Sequence, residues 1–305
     1  MDSSGETADD RRRIMKTSFQ ALLAARIDYA GLFPPAALSM DDAVANYAAY
    51  RASDDAWALA RLIVPAVRLE EFEAAFASVI TAAVGTPWSI AALAQASDAD
   101  AMRAFNARQR ARAGIDTVES RAVCVDDIEA LTPLTALGAV YVEVPIHEDP
   151  EPLIAALAAR GLRAKVRTGG VTSSAFPQAA EVARFLLACA RHEVPCKATA
   201  GLHHPLRGEY PLTYDAGAAR GTMFGYLNVL LAASWARRGL THAALTALLE
   251  ERAPAALQAD DAAIVWRGHT LRVDDLIADQ ARAAVSFGSC SFREPLDDLP
   301  GLFPS

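Results

Sequence analysis

The chain of 305 residues is poor in lysine: only Lys16, Lys165 and Lys197 stand among its 29 basic residues. Acidic residues number 37, for a formal net charge of −8 at pH 7, so the chain lacks the basic footprint that nucleic acid requires. It also lacks any apolar run approaching the roughly 18 residues of a membrane span, because Arg61 and Asn228 interrupt the best candidates. Cys124, Cys189, Cys196 and Cys290 include no C-x-x-C pair, and four cysteines make no disulfide framework for so long a chain. No H-x-H, H-E-x-x-H or Cys/His spacing marks a metal site. The first residues mix Asp2, Glu6, Asp9 and Asp10 with Arg11, Arg12 and Arg13, unlike a signal or transit peptide. These absences predict a soluble cytoplasmic protein that engages neither nucleic acid nor membrane.

What is present is a large apolar inventory. Hydrophobic residues make up 52% of the chain and charged residues 22%, a balance that favours a packed core over disorder. Wherever positive charge alone suffices, this chain uses arginine. Arginine does not deprotonate in proteins, whereas lysine can, and it then becomes an amine nucleophile. The positions that keep lysine are therefore informative.

Extended apolar segments alternate with helical ones. Strands are expected at 26–33, 58–65, 88–93, 117–123, 139–146, 163–168, 195–201 and 285–290, after a short helix at about 16–25. Helix starts are expected at Ser39 with Asp42, Ser97 with Asp100, Asp126 with Glu129, and Asp149-Pro150, where a capping side chain precedes a carboxylate or a proline. Eight strands alternating with helices predict an α/β fold, a (β/α)8 barrel. An open doubly wound sheet has similar alternation, but no G-x-G-x-x-G follows the first strand. Its central strands would also be apolar on both faces. Here Glu143 shares a face with Tyr141, and Lys165 shares one with Arg167, as suits a barrel whose upper interior is an active site.

The predicted organisation is a mobile tail over 1–15 and a single barrel domain over 16–305. An insertion at about 205–284 holds an apolar helix near 219–237, a second helix after Thr241 and a hairpin around Trp266-Arg267-Gly268-His269. Roughly 80 residues separate strands seven and eight, where ~30 is usual for a barrel unit. Such an addition reads as a lid or an oligomer-forming elaboration. Acidic, alanine-rich helices are consistent with a homo-oligomer.

Barrel chemistry takes place at the C-terminal ends of the strands. Lys165 and Lys197 fall in equivalent positions on neighbouring strands, both facing inward. Two ammonium groups in a partly dry cavity disfavour each other's charge, so at least one pKa is expected to fall toward neutrality. That is a route to a lysine able to form a Schiff base. The same residues also read as a structural ion-pair network with Glu119 and Glu143. Other candidates for substrate contact are Asp28, Glu143, Arg167, Thr199 and His203. Gly169, Gly170, Gly288 and Ser289 could let backbone N–H groups approach an anion. Glu119 is the candidate proton shuttle, and Cys290 reads as a buried small hydrophobe.

Short motifs in order along residues 27–291 resemble the deoxyribose-phosphate aldolases, class I aldolases on a (β/α)8 barrel. They are IDYAGLFPPA from Ile27, AGIDTVE at 113–119, KVRTG at 165–169, KATAG at 197–201 and GSCS at 288–291. The resemblance implies a carbon–carbon lyase without metal or organic cofactor, acting on a small aldehyde or keto substrate that bears an anionic group. It implies Lys165 as the imine-forming residue, Lys197 as the partner that lowers its pKa, and Glu119 as the acid/base group, with phosphate near GSCS. The chain departs from the family pattern in having Glu at 119, Arg167 beside the nucleophile and the long insertion. Two alternatives use the same barrel. One is a non-covalent isomerase or metal-assisted lyase with His203 and Glu143 as ligands; the other is an inactive barrel with a binding role.

Overall fold

The computed structural model describes residues 16–80 and 86–302; the tail expected over 1–15 lies outside the described residues. Strands β1 (Ile27–Tyr29), β2 (Leu59–Pro65), β3 (Trp88–Leu93), β4 (Ala113–Arg121), β5 (Ala139–Glu143), β6 (Arg163–Arg167) and β7 (Cys196–Thr199) come first. Helix α1 (Thr17–Leu23) precedes β1. Helices α2 (Met40–Arg51), α3 (Leu69–Val79), α4 (Ala99–Gln109), α5 (Val125–Leu131), α6 (Glu151–Ala159) and α7 (Ala179–Arg191) follow β1 to β6 in turn. After β7 come a hairpin of β8 (Gly208–Pro211) and β9 (Arg220–Met223), then α8 (Tyr226–Ala236) and α9 (His242–Leu249). A small sheet of β10 (Leu257–Ala259), β11 (Ala263–Trp266) and β12 (His269–Arg272) and helix α10 (Val273–Asp279) lead into β13 (Ala284–Ser289). Two short helices, α11 (Arg293–Asp297) and α12 (Leu299–Leu302), end the described chain.

The barrel closes in the order β1-β13-β7-β6-β5-β4-β3-β2, with every neighbouring pair parallel. The fold is thus the expected (β/α)8 barrel. On α7, Ala179, Val182, Ala183, Leu186 and Cys189 are buried at intervals of three and four residues, the spacing of one helix face turned inward. Helix α8 is buried at every position, because α7, α9 and β13 all pack on it. Asn228, the polar interruption in its sequence, is anchored on several sides. Its amide donates to the carbonyls of Leu248 (2.7 Å) and Glu251 (3.0 Å) and accepts from the Arg207 N–H (2.9 Å), which satisfies a polar group that burial would otherwise penalise.

Several boundaries differ from expectation. The apolar helix starts at Tyr226 rather than 219, because Arg220–Met223 pair antiparallel with Gly208–Pro211. Strand β4 starts at Ala113, four residues early. The Asn106 side chain brackets Ile115 there, donating to its carbonyl (2.9 Å) and accepting from its N–H (2.7 Å). Ser39 caps α2 as expected, accepting from the Asp42 N–H at 3.1 Å. The starts placed at Ser97 and Asp126 are instead set by Asp98, which accepts from Gln95 N–H (2.8 Å), and by Asp127, which accepts from Val123 N–H (2.9 Å). The hairpin at Arg267-Gly268 forms between β11 and β12. Among the described residues no helix is long and apolar enough to cross a membrane.

Candidate active site

Strand register sets the site. Lys165 on β6 lies directly opposite Lys197 on β7, and Glu143 on β5 lies directly opposite Lys165. With side chains alternating along each strand, these groups point into the upper barrel. They meet Asp28 from β1 and Glu119 from β4. Asp28, Glu119, Lys165 and Lys197 are all buried.

One carboxylate joins the two amines. Glu119 Oε2 is 2.9 Å from Lys165 Nζ, while its Oε1 accepts a hydrogen bond from Lys197 Nζ. Lys197 also donates to Asp28 Oδ2 at 2.7 Å, and the Tyr141 ring lies 5.7 Å from its Nζ. Asp28 accepts as well from the Ser286 hydroxyl (2.6 Å) and the Arg61 N–H (3.1 Å). Lys165 has a second carboxylate, Glu143 Oε2 at 3.1 Å, and Arg167 donates from Nε to Glu143 Oε1 at 3.2 Å.

These contacts reverse part of the electrostatic expectation. Burial alone would lower the pKa of Lys197, but the charges of Asp28 and Glu119 outweigh it and raise the pKa instead. Lys197 is therefore held as a cation, and the two amines share one anion. Burial works against the charge of Glu119 too, yet the two ammonium groups hold its pKa down at about 2. Glu143 is lowered for the same reason: Lys165 and Arg167 outweigh its desolvation. The three carboxylates and the three cations balance.

Above this cluster opens a cavity of about 330 Å³, within the usual range for small-molecule sites. Lys165, Glu119 and Glu143 form part of its wall, as do Arg167, Thr199 and His203. Lys197 and Asp28 lie beneath and do not reach it. Gly288 keeps the interior open: a Cβ there would sit 3.1 Å from Thr199 Oγ1 and 3.5 Å from Ile63 Cδ1.

Of the glycines expected to approach an anion, Gly170 and Gly288 border the cavity. Gly169 stands outside the cavity wall, and a Cβ on it would lie 2.4 Å from the Phe176 ring; one on Gly201, whose φ is +73°, would lie 2.8 Å from the same ring. Gly170 borders the cavity, but its open side faces the Ala175 methyl at 2.8 Å. Packing of the 173–176 turn thus accounts for these glycines. Ser289 also lies off the cavity wall, its hydroxyl 3.3 Å from His203 Nδ1.

A second polar group, which the sequence pattern does not foretell, sits in the wall. His203 Nδ1 lies 3.3 Å from Glu294 Oε2 and 3.9 Å from Cys290 Sγ, and the Tyr214 hydroxyl donates to Glu294 (2.8 Å) with Cys290 Sγ 3.4 Å away. Burial would lower His203, but its contacts with Cys290 and Glu294 raise its pKa to about 9. Burial raises the Cys290 thiol, and His203 and Tyr214 bring it below its ordinary value. Cys290 is buried, as expected, and it also stands beside His203 and Tyr214. Tyr214 and Glu294 come from the hairpin and from α11, too far along the chain for any local motif to join them. Arg121, two residues beyond Glu119 on the same strand face, also borders the cavity; period-2 alternation alone could have found it. His203 and Glu143 are each held by other partners, and among the described residues no group of three or more His, Cys, Asp or Glu is arranged to hold a metal ion.

No family model, no curated protein and no solved structure matches this chain.

Proposed function

We propose that the protein is a carbon–carbon lyase in which Lys165 forms a Schiff base with a small aldehyde or ketone. The observation that carries this reading is the asymmetry of the lysine pair. Both amines share Glu119, but only Lys165 reaches the cavity. Lys197 is sealed beneath, fixed as a cation by Asp28 and Glu119. Its role is to hold Glu119 ionised and in place.

The chemistry follows from these contacts. Lys165 gives a proton to Glu119 or Glu143, both within hydrogen-bond reach. The freed lone pair attacks the substrate carbonyl carbon, a C–N bond forms, and the carbonyl oxygen leaves as water. The resulting iminium carries the positive charge the ammonium carried, so the flanking carboxylates oppose the same charge before and after. The departing water takes up the proton that Lys165 gave. In a β-hydroxy substrate the iminium then accepts the electron pair of the Cα–Cβ bond as that bond breaks, and the β-hydroxyl passes its proton to Glu119 as it becomes the second carbonyl. Glu119 returns that proton to the enamine carbon, and water releases the product from Lys165. These steps need no metal or organic cofactor. The resemblance to deoxyribose-phosphate aldolases supports the same assignment of Lys165, Lys197 and Glu119.

Borohydride reduction in the presence of aldehydes and oxo acids tests the proposal. The expected result is a mass increase on the peptide containing Lys165, absent in Lys165→Arg. No adduct across the panel, or an adduct confined to Lys16, would refute it.

A further inference from the structure

Charge around the cavity is paired off almost completely. Lys165 lies between Glu119 and Glu143, Arg167 is held by Glu143, and His203 is held by Glu294. Arg121 is the exception: it borders the cavity at the end of β4, and no hydrogen bond or ion pair joins its side chain to any described residue. The register explains why. Arg121 is the strand partner of Glu143, but Glu143 already gives Oε2 to Lys165 and Oε1 to Arg167.

We infer that Arg121 is the specificity residue of this cavity and that its ligand is the carboxylate of an oxo acid with an apolar body. The inference deepens the imine reading and rests on it. A guanidinium presents a planar fork that matches a carboxylate with two parallel hydrogen bonds. A phosphate asks for more charge than one guanidinium supplies. The remaining wall is largely apolar, with Phe33, Pro35, Ile63, Leu93, Leu212 and Met223 on it. A sugar would leave its hydroxyls unmatched against such a wall, at a cost for each. An aliphatic or aromatic chain would bury there favourably.

The test uses the full chain and four probes: isocaproate, its amide, inorganic phosphate and α-ketoisocaproate. Isocaproate is expected to bind about tenfold more tightly than its amide, as a charge-assisted hydrogen bond allows. In Arg121→Gln the acid-to-amide ratio should fall toward one. In Arg121→Lys, which keeps the charge but loses the fork, it should be intermediate. Reading the ratio within each protein cancels any general change in the cavity. An unchanged ratio in Arg121→Gln, phosphate displacing isocaproate at lower concentration than the acid itself, or no binding by any probe would each overturn the inference. Failure of the imine reading looks different: isocaproate then binds with an Arg121-dependent ratio, but borohydride traps no adduct with α-ketoisocaproate.

Discussion

Replacing Glu119 with glutamine removes the one anion shared by both lysines while keeping shape and volume. The new amide can accept from one ammonium through its carbonyl, but its NH2 group then turns donors toward the other. Coulomb energy at 4 Å and an effective dielectric near 20 is about 4 kcal/mol. Removing one partner of a buried ion pair typically costs about 3–5 kcal/mol. Glu119 contacts Lys165 and Lys197 in full burial, so the upper part of that range applies at pH 7. For a domain of this size that lowers the melting temperature by roughly 5–15 °C.

The pH dependence identifies the cause. In the native protein Lys197 is raised above its ordinary value, so its contribution is complete below about pH 10.4 and fades only as pH rises through the higher folded value. In Glu119→Gln, Lys197 keeps Asp28 alone against its burial, and its folded pKa is expected to fall below its unfolded value. The unfolded chain then binds more protons than the folded one, and the stability of the variant rises with pH. The gap between the two proteins should therefore narrow from pH 7 to pH 10. On the acid side the gap narrows as well: Glu119 has its pKa lowered to about 2, so its contribution to native stability is lost as pH falls from the ordinary carboxylate range through that value. The Glu119→Gln variant, with no carboxylate to protonate at this position, has no such loss. Melting curves by circular dichroism over pH 3–10 test both limbs. A gap below about 1 kcal/mol at pH 7, or one that does not change with pH, would show that Glu119 does not hold the amines together electrostatically.

Two further outcomes follow from the cavity wall. Iodoacetamide should alkylate Cys290 in the native protein ahead of Cys189, because His203 and Tyr214 favour the Cys290 thiolate while burial pushes the Cys189 thiol up; peptide mass mapping reads the order, and equal inertness of the two would refute it. Gly169→Ala places a methyl 2.4 Å from the Phe176 ring and should cost about 1–3 kcal/mol, as overpacking does. Phe176→Leu should recover part of that loss in a double-mutant cycle, and additive effects of the two changes would remove packing as the reason for glycine at 169.

The barrel was legible because its strands carry a chemical signal on one face. Glu143 beside Tyr141 and Lys165 beside Arg167 are intolerable in a sheet covered by helices on both sides, and the alternation that exposed them follows from the pleat itself. The scarcity of lysine then drew attention to positions 165 and 197, and register placed them opposite each other. Their electrostatics were legible only in part: ion pairing with Glu119 and Glu143 was one of two readings, and its geometry was hidden. Period-2 alternation says which way a side chain points but not which distant residue meets it across the barrel interior. The sequence pattern could not place Glu119 between two amines on β6 and β7, nor Asp28 beneath them. A residue without Cβ signals close approach, and only the structure reveals that at Gly169 and Gly201 the approaching group is Phe176.

The insertion divides into two parts with different physical tasks. Its hairpin serves the cavity: Leu212 and Met223 extend the apolar wall, and Tyr214 ties the connecting loop to Glu294 on α11. The rest serves the barrel. The described chain beyond β13 has only the short helices α11 and α12, which cannot cover a strand pair as a full helix does. Helices α1 and α10, which lead into β1 and β13, pack against each other instead, with the Gln280 amide donating to the Ala21 carbonyl at 3.0 Å. Phe19, Leu22 and Leu23 of α1 are buried in the core. Cover that a regular barrel takes from its eighth crossover is here drawn from before the first strand and from within the insertion. The C-terminal segment is thereby free to stand at the cavity, where Glu294 holds His203.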